Sequence, residues 1–152
     1  MIKFFEIIGF ARIKIILAAV LGFSVFFFLS VEGWAADWKL IGTSWETDFL
    51  YDPQSVSLLS QDNVKVWVKK IYGEKKVKEY IKGLGPEFKE LSYDFSLIEF
   101  NCSEKKFRLL AFSYYNQDGG LISSFTPDSS FWNFIVPNSI LDALFNIVCE
   151  GH

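Results

Sequence analysis

Two cysteines, one histidine and a scatter of carboxylates are the side chains of this sequence that could do chemistry. Cys102, in "EFNCSEKKF", and Cys149, in "NIVCEGH", stand too far apart for a Cys-x-x-Cys redox pair and are too few for a metal site. The one histidine, His152, is the final residue, so Ser113, Ser123 and Ser124 have no internal histidine to activate them as nucleophiles. Glu46, Asp48 and Asp52 could supply an acid and a base, yet acidic residues beside turns are ordinarily just solvated. There is no GxGxxG and no GxxxxGK, and "KGLGP" reads as a helix stop rather than a phosphate loop. No catalytic, cofactor-binding or metal-ligating residue is assigned, and the expectation is a protein that is not an enzyme and needs no cofactor.

The fate of the two cysteines depends on compartment, and the N-terminal stretch sets it. "MIKFFEIIGFARIKIILAAVLGFSVFFFLSVEGWAADW" opens with Lys3, Arg12 and Lys14, continues without a charge from Ile15 to Val31, and ends on small residues at Gly33, Ala35 and Ala36. A basic start, an apolar middle and a small-x-small end make residues 1–35 a secretory signal, with cleavage after Ala35. The competing reading is an uncleaved anchor, because an apolar run of roughly seventeen residues approaches the lower end of a bilayer span. No cysteine follows the apolar run to carry a lipid. Export puts Cys102 and Cys149 in an oxidising compartment, where two cysteines in a small domain read as a disulfide; free thiols are the alternative. Closing a loop of about 48 residues should stabilise the fold by about 4 kcal/mol in the entropic account.

The remaining residues, 36–152, form one domain. The leader holds three of the 15 basic and two of the 18 acidic side chains, so the domain is mildly acidic and has no basic block. Phosphate backbones and anionic lipid surfaces are repelled by that charge, which excludes nucleic acid and leaves membrane contact only to an uncleaved N-terminal segment.

Periodicity supplies the elements. "DWKLIGTS" and "DFLYD" are short strands, the second stopped by the proline of "YDPQSV". "NVKVWVKKIY" alternates, with Val64, Val66 and Val68 on one face and Lys65, Trp67 and Lys69 on the other, as a half-buried strand does. In "EKKVKEYIKGLGP" the period changes: Val77, Tyr80, Ile81 and Leu84 mark one stripe of a short helix that Gly85 and Pro86 stop. Three strands follow in "ELSYDFSLIEFNC", "KKFRLLAFSYYN" and "LISSFT", the last two joined at "QDGG", whose Asp-Gly tolerates a tight turn. "VPNSILDALFNIVCEGH" closes the chain with a Ser139-x-x-Asp142 cap and a helix whose buried stripe carries Cys149. The fold class is α+β: a curved antiparallel sheet of about six strands, a short helix inserted mid-chain, and a C-terminal helix tethered by the disulfide.

A two-residue turn at Glu104 and Lys105 would place Cys102 opposite Phe107, Phe100 opposite Leu109 and Ile98 opposite Ala111, on the face beneath the last helix. The other face would then hold Leu97 opposite Phe112, Phe95 opposite Tyr114, and Phe125 beside Phe112. A slip of one residue would exchange the faces. Both faces are apolar and one short helix cannot cover both. Either the mid-chain helix or the "PDSSFWNFIVP" loop folds over the second face, or Phe95, Leu97, Phe112, Tyr114 and Phe125 form an aromatic patch for a protein partner or a homodimer.

The run of "WKLIGTS", "FLYDPQSV", "VKVWVKKIY", a strand ending in "FNC", "KKFRLLAFSYYNQDGGLISSF" with Trp132 after it, and "VPNSILDALFNIVC" resembles, in order, the surface-adhesin protein E family of Gram-negative bacteria. The resemblance covers residues 38–149. It implies a curved antiparallel sheet with the C-terminal helix held to it by a disulfide, onto which Cys102 and Cys149 map. The adhesin after which the family is named binds host extracellular-matrix proteins, can dimerise and is lipid-anchored. The absence of a lipobox cysteine here makes the periplasm at least as good an expectation as the outer cell surface. The functional expectation is an exported binding module for a protein partner, and the alternative is a periplasmic carrier or sensor of a small apolar ligand.

Overall fold

In the computed structural model of the protein, residues 36–128 and 131–150 are described; the leader expected over residues 1–35 and His152 lie outside them. Residues 36–152 make one compact unit. Its strands are β1 (Lys39–Ser44), β2 (Thr47–Tyr51), β3 (Ser57–Leu58), β4 (Asn63–Tyr72), β5 (Leu91–Asn101), β6 (Lys106–Asn116), β7 (Leu121–Phe125) and β8 (Asn133–Phe134). Its helices are α1 (Glu74–Leu84) and α2 (Ile140–Cys149), with single 3-10 turns at Pro53–Ser55 and Pro86–Glu90. The fold is α+β, as its periodicities imply. One antiparallel sheet runs β1-β2-β4-β5-β6-β7, and the two-residue strands β3 and β8 pair with β4 and β6.

Each element forms where its local chemistry directs. β4 is the alternating "NVKVWVKKIY", with Val64, Val66 and Val68 buried. Asp52 caps the 3-10 turn that Pro53 starts, its side chain accepting from the Gln54 N–H at 2.9 Å. That turn fills the gap between β2 and β3 along β4, because the Ser55 hydroxyl accepts from the Trp67 N–H and the Asp52 N–H donates to the Trp67 carbonyl. Gly85, at φ 130°, ends α1 in a conformation closed to other residues, and Gly119, at φ 82°, makes the reversal between β6 and β7. Ser139 caps α2 by accepting from the Asp142 N–H at 3.2 Å, while Asp142 reaches back to the Asn138 N–H at 2.9 Å.

Both helices lie on the same face of the sheet. Under α2, Val64, Val66, Val68, Ile98 and Phe100 meet Leu144, Phe145 and Val148 in the main core. Under α1, Tyr72, Phe88 and Leu91 form a second cluster with Val77, Tyr80, Ile81, Tyr114 and Ile122. Phe100, Leu144 and Val66 are completely buried, and each such side chain contributes roughly 1.5–3 kcal/mol. The alternative in which the mid-chain helix covers the opposite face is therefore excluded. α1 follows β4 directly at Gly73, and Tyr72, the last residue of β4, already points to the α2 side.

The register also departs from expectation. The β5–β6 turn spans four residues, pairing Asn101 with Lys106, so Phe107 faces Phe100 and Leu109 faces Ile98. Asn101 builds this turn by accepting from the Ser103 hydroxyl and the Glu104 N–H, and Lys105 sits at φ 51°. Beyond it the register shifts once more, between Leu97 and Ile98, leaving Leu110 without a counterpart. Leu97 then faces Ala111 rather than Phe112, and Phe95 faces Ser113 rather than Tyr114. Ala111 lies on the open face instead of beneath the helix. Phe125 does pair with Phe112 across the last hairpin.

Cys102 and Cys149 are joined, with Cα atoms 5.6 Å apart and a separation of 47 positions along the sequence. The bond ties the end of α2 to the end of β5, next to the main core. A helix of ten residues is marginal by itself and holds its place only through packing and this tether. Replacing Cys149 by Ser, or reducing the bond, should cost about 4 kcal/mol. For a domain of this size that lowers the Tm by more than about 10 °C. Circular-dichroism melts with and without reductant measure it; an unchanged Tm would mean that packing alone secures α2.

Candidate functional site

The face turned away from the helices carries the side chains of the opposite parity. β4 contributes Lys65, Trp67, Lys69 and Ile71; β5 contributes Tyr93, Phe95 and Leu97; past its extra residue, β6 contributes Ala111, Ser113 and Tyr115. Tyr93 and Tyr115 are cross-strand partners with rings 5.3 Å apart and nearly parallel, at 10°. Phe95 meets both edge-on, at 5.4 and 5.5 Å, and Trp38, just before β1, stacks on Phe95 at 5.3 Å. Lys69 holds its ammonium 4.4 Å from the centre of the Tyr93 ring. A shallow recess of about 230 Å³ lies among Trp38, Asp52, Trp67, Phe95, Ser113 and Tyr115. Trp67 and Ile71 remain 37% and 39% exposed, and neither belongs to the clusters packed under the helices.

The same face is closed at its other end. Glu99, buried, accepts from Arg108 at 2.7 Å and from Asn63 at 3.0 Å, and the Arg108 guanidinium lies 4.6 Å from the Trp132 ring. Trp132, just before β8, thus lies over this end, in line with the alternative in which the "PDSSFWNFIVP" loop folds over the second face.

The residues expected to form one patch are divided between the two faces. Phe95 and Leu97 are on the open one. Phe112 and Tyr114 are on the helix side, where Tyr114 packs edge-on against Phe88 at 5.0 Å and Tyr80 at 5.6 Å, and Phe112 against Tyr114 at 4.4 Å. Phe125, also on that side, is 62% exposed on the edge strand β7. Trp38, Trp67, Tyr93 and Tyr115 complete the open cluster and were not singled out from sequence. Trp67 was legible, since the β4 alternation sets it opposite the valines; Tyr115 was not, since its face depends on the extra residue in β6. Trp45 was missed as well: it is 86% exposed at the tip of the β1–β2 hairpin, where it and Glu46 take φ values of 49° and 54° that glycine and asparagine ordinarily supply.

On the helix side a buried polar group separates the two apolar clusters. Asp94 is completely buried. Tyr72 donates to its Oδ2, Lys70 donates to the same oxygen at 3.3 Å, and Ser96 donates to Oδ1 at 3.2 Å. The Tyr72 and Tyr80 hydroxyls are 3.1 Å apart. Burial pushes the pKa of Asp94 up against the opposing pulls of Lys70, Tyr72 and Ser96, and burial together with Asp94 pushes Tyr72 up. Next to this group an apolar cavity of about 310 Å³ opens between α2 and the sheet. A larger recess of about 550 Å³ beside α1 is lined by Glu74, Lys78, Lys89, Glu90 and Asp118, charges of both signs that favour no one ligand. Among the described residues no cluster of His, Cys, Asp and Glu could hold a metal, and no helix is long and apolar enough to cross a membrane.

The sequence model of the family described as surface-adhesin protein E matches residues 38–150. No curated protein matches the chain.

The Asp94 site makes a prediction about pH. A carboxyl whose pKa is raised by folding contributes stability that is full below its unfolded value, near 4, and lost as the pH rises through the folded value. Asp94→Asn keeps the shape and an acceptor for Tyr72 while removing the charge. The variant should melt at or above the parent's Tm at pH 7, with the difference growing as the pH rises from about 4. Thermal melts of both proteins across that range test it. A variant weaker at pH 7 by more than about 1 kcal/mol would show that the pairing with Lys70 outweighs desolvation.

Proposed function

Because the chain belongs to the surface-adhesin protein E family, we propose that it is an exported, non-catalytic binding module whose open aromatic face engages a protein partner. The observation that carries this reading is the one-sided covering of the sheet. Both helices pack on one side, and the other side presents Trp38, Trp67, Tyr93, Phe95 and Tyr115 in mutual contact or around one recess. Tyrosine and tryptophan bury much area with few rotatable bonds, which makes them the usual anchors of protein interfaces. Stacking also fixes these rings before any partner arrives, so little side-chain entropy is lost on docking.

In this reading residues 1–35 are the export signal, and the domain acts in the periplasm or at the outer surface of a Gram-negative cell. The partner is a host extracellular-matrix protein, or a second copy of the chain docking through the same face. Protease treatment of intact cells distinguishes the two locations.

The test is a charge placed on each side of the sheet. Trp67→Glu introduces a carboxylate where water already reaches. Its circular dichroism and Tm should match the parent's, while its affinity in a binding panel of purified matrix proteins, or its self-association in sizing experiments, should fall at least about tenfold, the scale of an interface tryptophan. Phe112→Glu should instead destabilise the fold, because Phe112 packs against Tyr114 on the helix side. Binding that survives Trp67→Glu unchanged would remove the open face from the function.

A further inference from the structure

The cavity between α2 and the sheet has a shape and polarity of its own, independent of the open face. At about 310 Å³ it is roughly twice the volume of an engineered apolar cavity that accepts benzene, enough for an aliphatic body of about ten carbons. Val68, Ile98 and Leu144, all buried, belong to its wall, so it reaches the main core rather than resting on the surface. Its polar wall is confined to Lys70 and Ser96. The Lys70 side chain is 25% exposed, with its ammonium 5.1 Å from the centre of the Phe112 ring, another residue of the wall.

The hydrogen bonds at that end leave Lys70 capacity to spare. Asp94 receives the Tyr72 and Ser96 hydroxyls as well as Lys70, so its oxygens are held without full reliance on the ammonium. An ammonium has three N–H donors, and among the described residues only the one to Asp94 at 3.3 Å is directed to a side-chain acceptor. An apolar chamber with one cationic donor at its edge matches a single-chain amphiphile: tail against the valine, isoleucine and leucine side chains, head on the ammonium. A charge-assisted hydrogen bond at a site partly shielded from water is about twice as strong as a neutral one.

We propose that this cavity is a binding site for a medium-chain aliphatic carboxylate, its tail between α2 and β4–β6 and its carboxylate on Lys70. The probe is decanoate, with decanol as the uncharged equivalent, added to the purified full chain with its disulfide intact. Decanoate should bind at one equivalent, raise the Tm and shift the methyl NMR signals of Ile98 and Leu144. Leu109→Phe and Leu141→Phe each fill the cavity from a half-buried position on its wall. At least one of them should stay folded and lose binding of both probes by about tenfold or more, as a filled cavity requires. Lys70→Met should weaken decanoate by about tenfold and leave decanol within about twofold, the difference expected of a charged hydrogen bond. Three results would overturn the proposal: Ile98 and Leu144 signals unmoved by millimolar decanoate, binding that persists in both filled variants, or decanoate affinity indifferent to Lys70→Met. Binding elsewhere on the chain, residues 1–35 included, would survive the filling substitutions and so counts against the cavity.

Discussion

One unpaired residue in β6 determines what much of the molecule touches. Leu110 has no counterpart on β5, so the alternation that sets Phe107 and Leu109 against α2 restarts out of phase and puts Phe112 and Tyr114 on that same side. Without the extra residue, Ala111, Ser113 and Tyr115 would face the helices and Phe112 and Tyr114 would face away. The second apolar cluster would lose Tyr114, its edge-on partner for Phe88 and Tyr80, and the open face would lose the Tyr115 ring that stacks on Tyr93. A bulge of this kind re-aims every later side chain at the cost of one locally disrupted pair in the ladder.

That dependence explains which parts of the structure are legible in the sequence. β4, α1, the β6–β7 hairpin and the cap of α2 are written in local patterns: an alternation, a helical stripe, an Asp-Gly and a Ser-x-x-Asp. Each is decided within a dozen residues. The pairing of β5 with β6 has two candidate turns within "NCSEKK", and the one adopted depends on Asn101 bonding to Ser103 and Glu104. The bulge depends on which of two apolar faces packs better against helices that arrive from elsewhere in the chain. With aromatic or aliphatic residues at seven of the eleven positions of "KFRLLAFSYYN", composition does not choose between them. The disulfide, by contrast, follows from having only two cysteines, and the family follows from the order of its strand motifs.

Asp94 shapes the helix side in a complementary way. An ionised carboxylate with no exposure is costly unless it is hydrogen-bonded and paired. Tyr72, Lys70 and Ser96 offset part of that cost from the same face: Lys70 is directly opposite Asp94, Tyr72 two residues further along β4 and Ser96 two residues further along β5. The consequence is a polar strip across a sheet face that would otherwise be continuous core. α1 packs on one side of it and α2 on the other, so the two helices make separate clusters instead of one layer. The chamber beneath α2 is bounded at that strip, which is why an apolar space in the heart of the domain carries a lysine in its wall.

On the opposite face the lysines of β4 have a different task. An uncovered sheet bearing Trp67, Ile71, Leu40 and Leu50 could pair or stack with any other sheet it met. Lys65 and Lys69 alternate with those apolar residues along the strand, and Lys69 rests its ammonium over the Tyr93 ring, 4.4 Å from its centre, and 5.6 Å from that of Phe95. A cation held on an aromatic face gains about 0.5–1 kcal/mol while keeping part of its hydration. Docking must either strip that hydration or leave the ammonium at a wet rim. An apolar surface of indifferent chemistry gains little from the first and lacks the shape for the second. In the proposed docking reading, a partner that frames the rings and offers Lys69 an acceptor gains on both counts, so the lysine that opposes indiscriminate stacking would also restrict which partners fit.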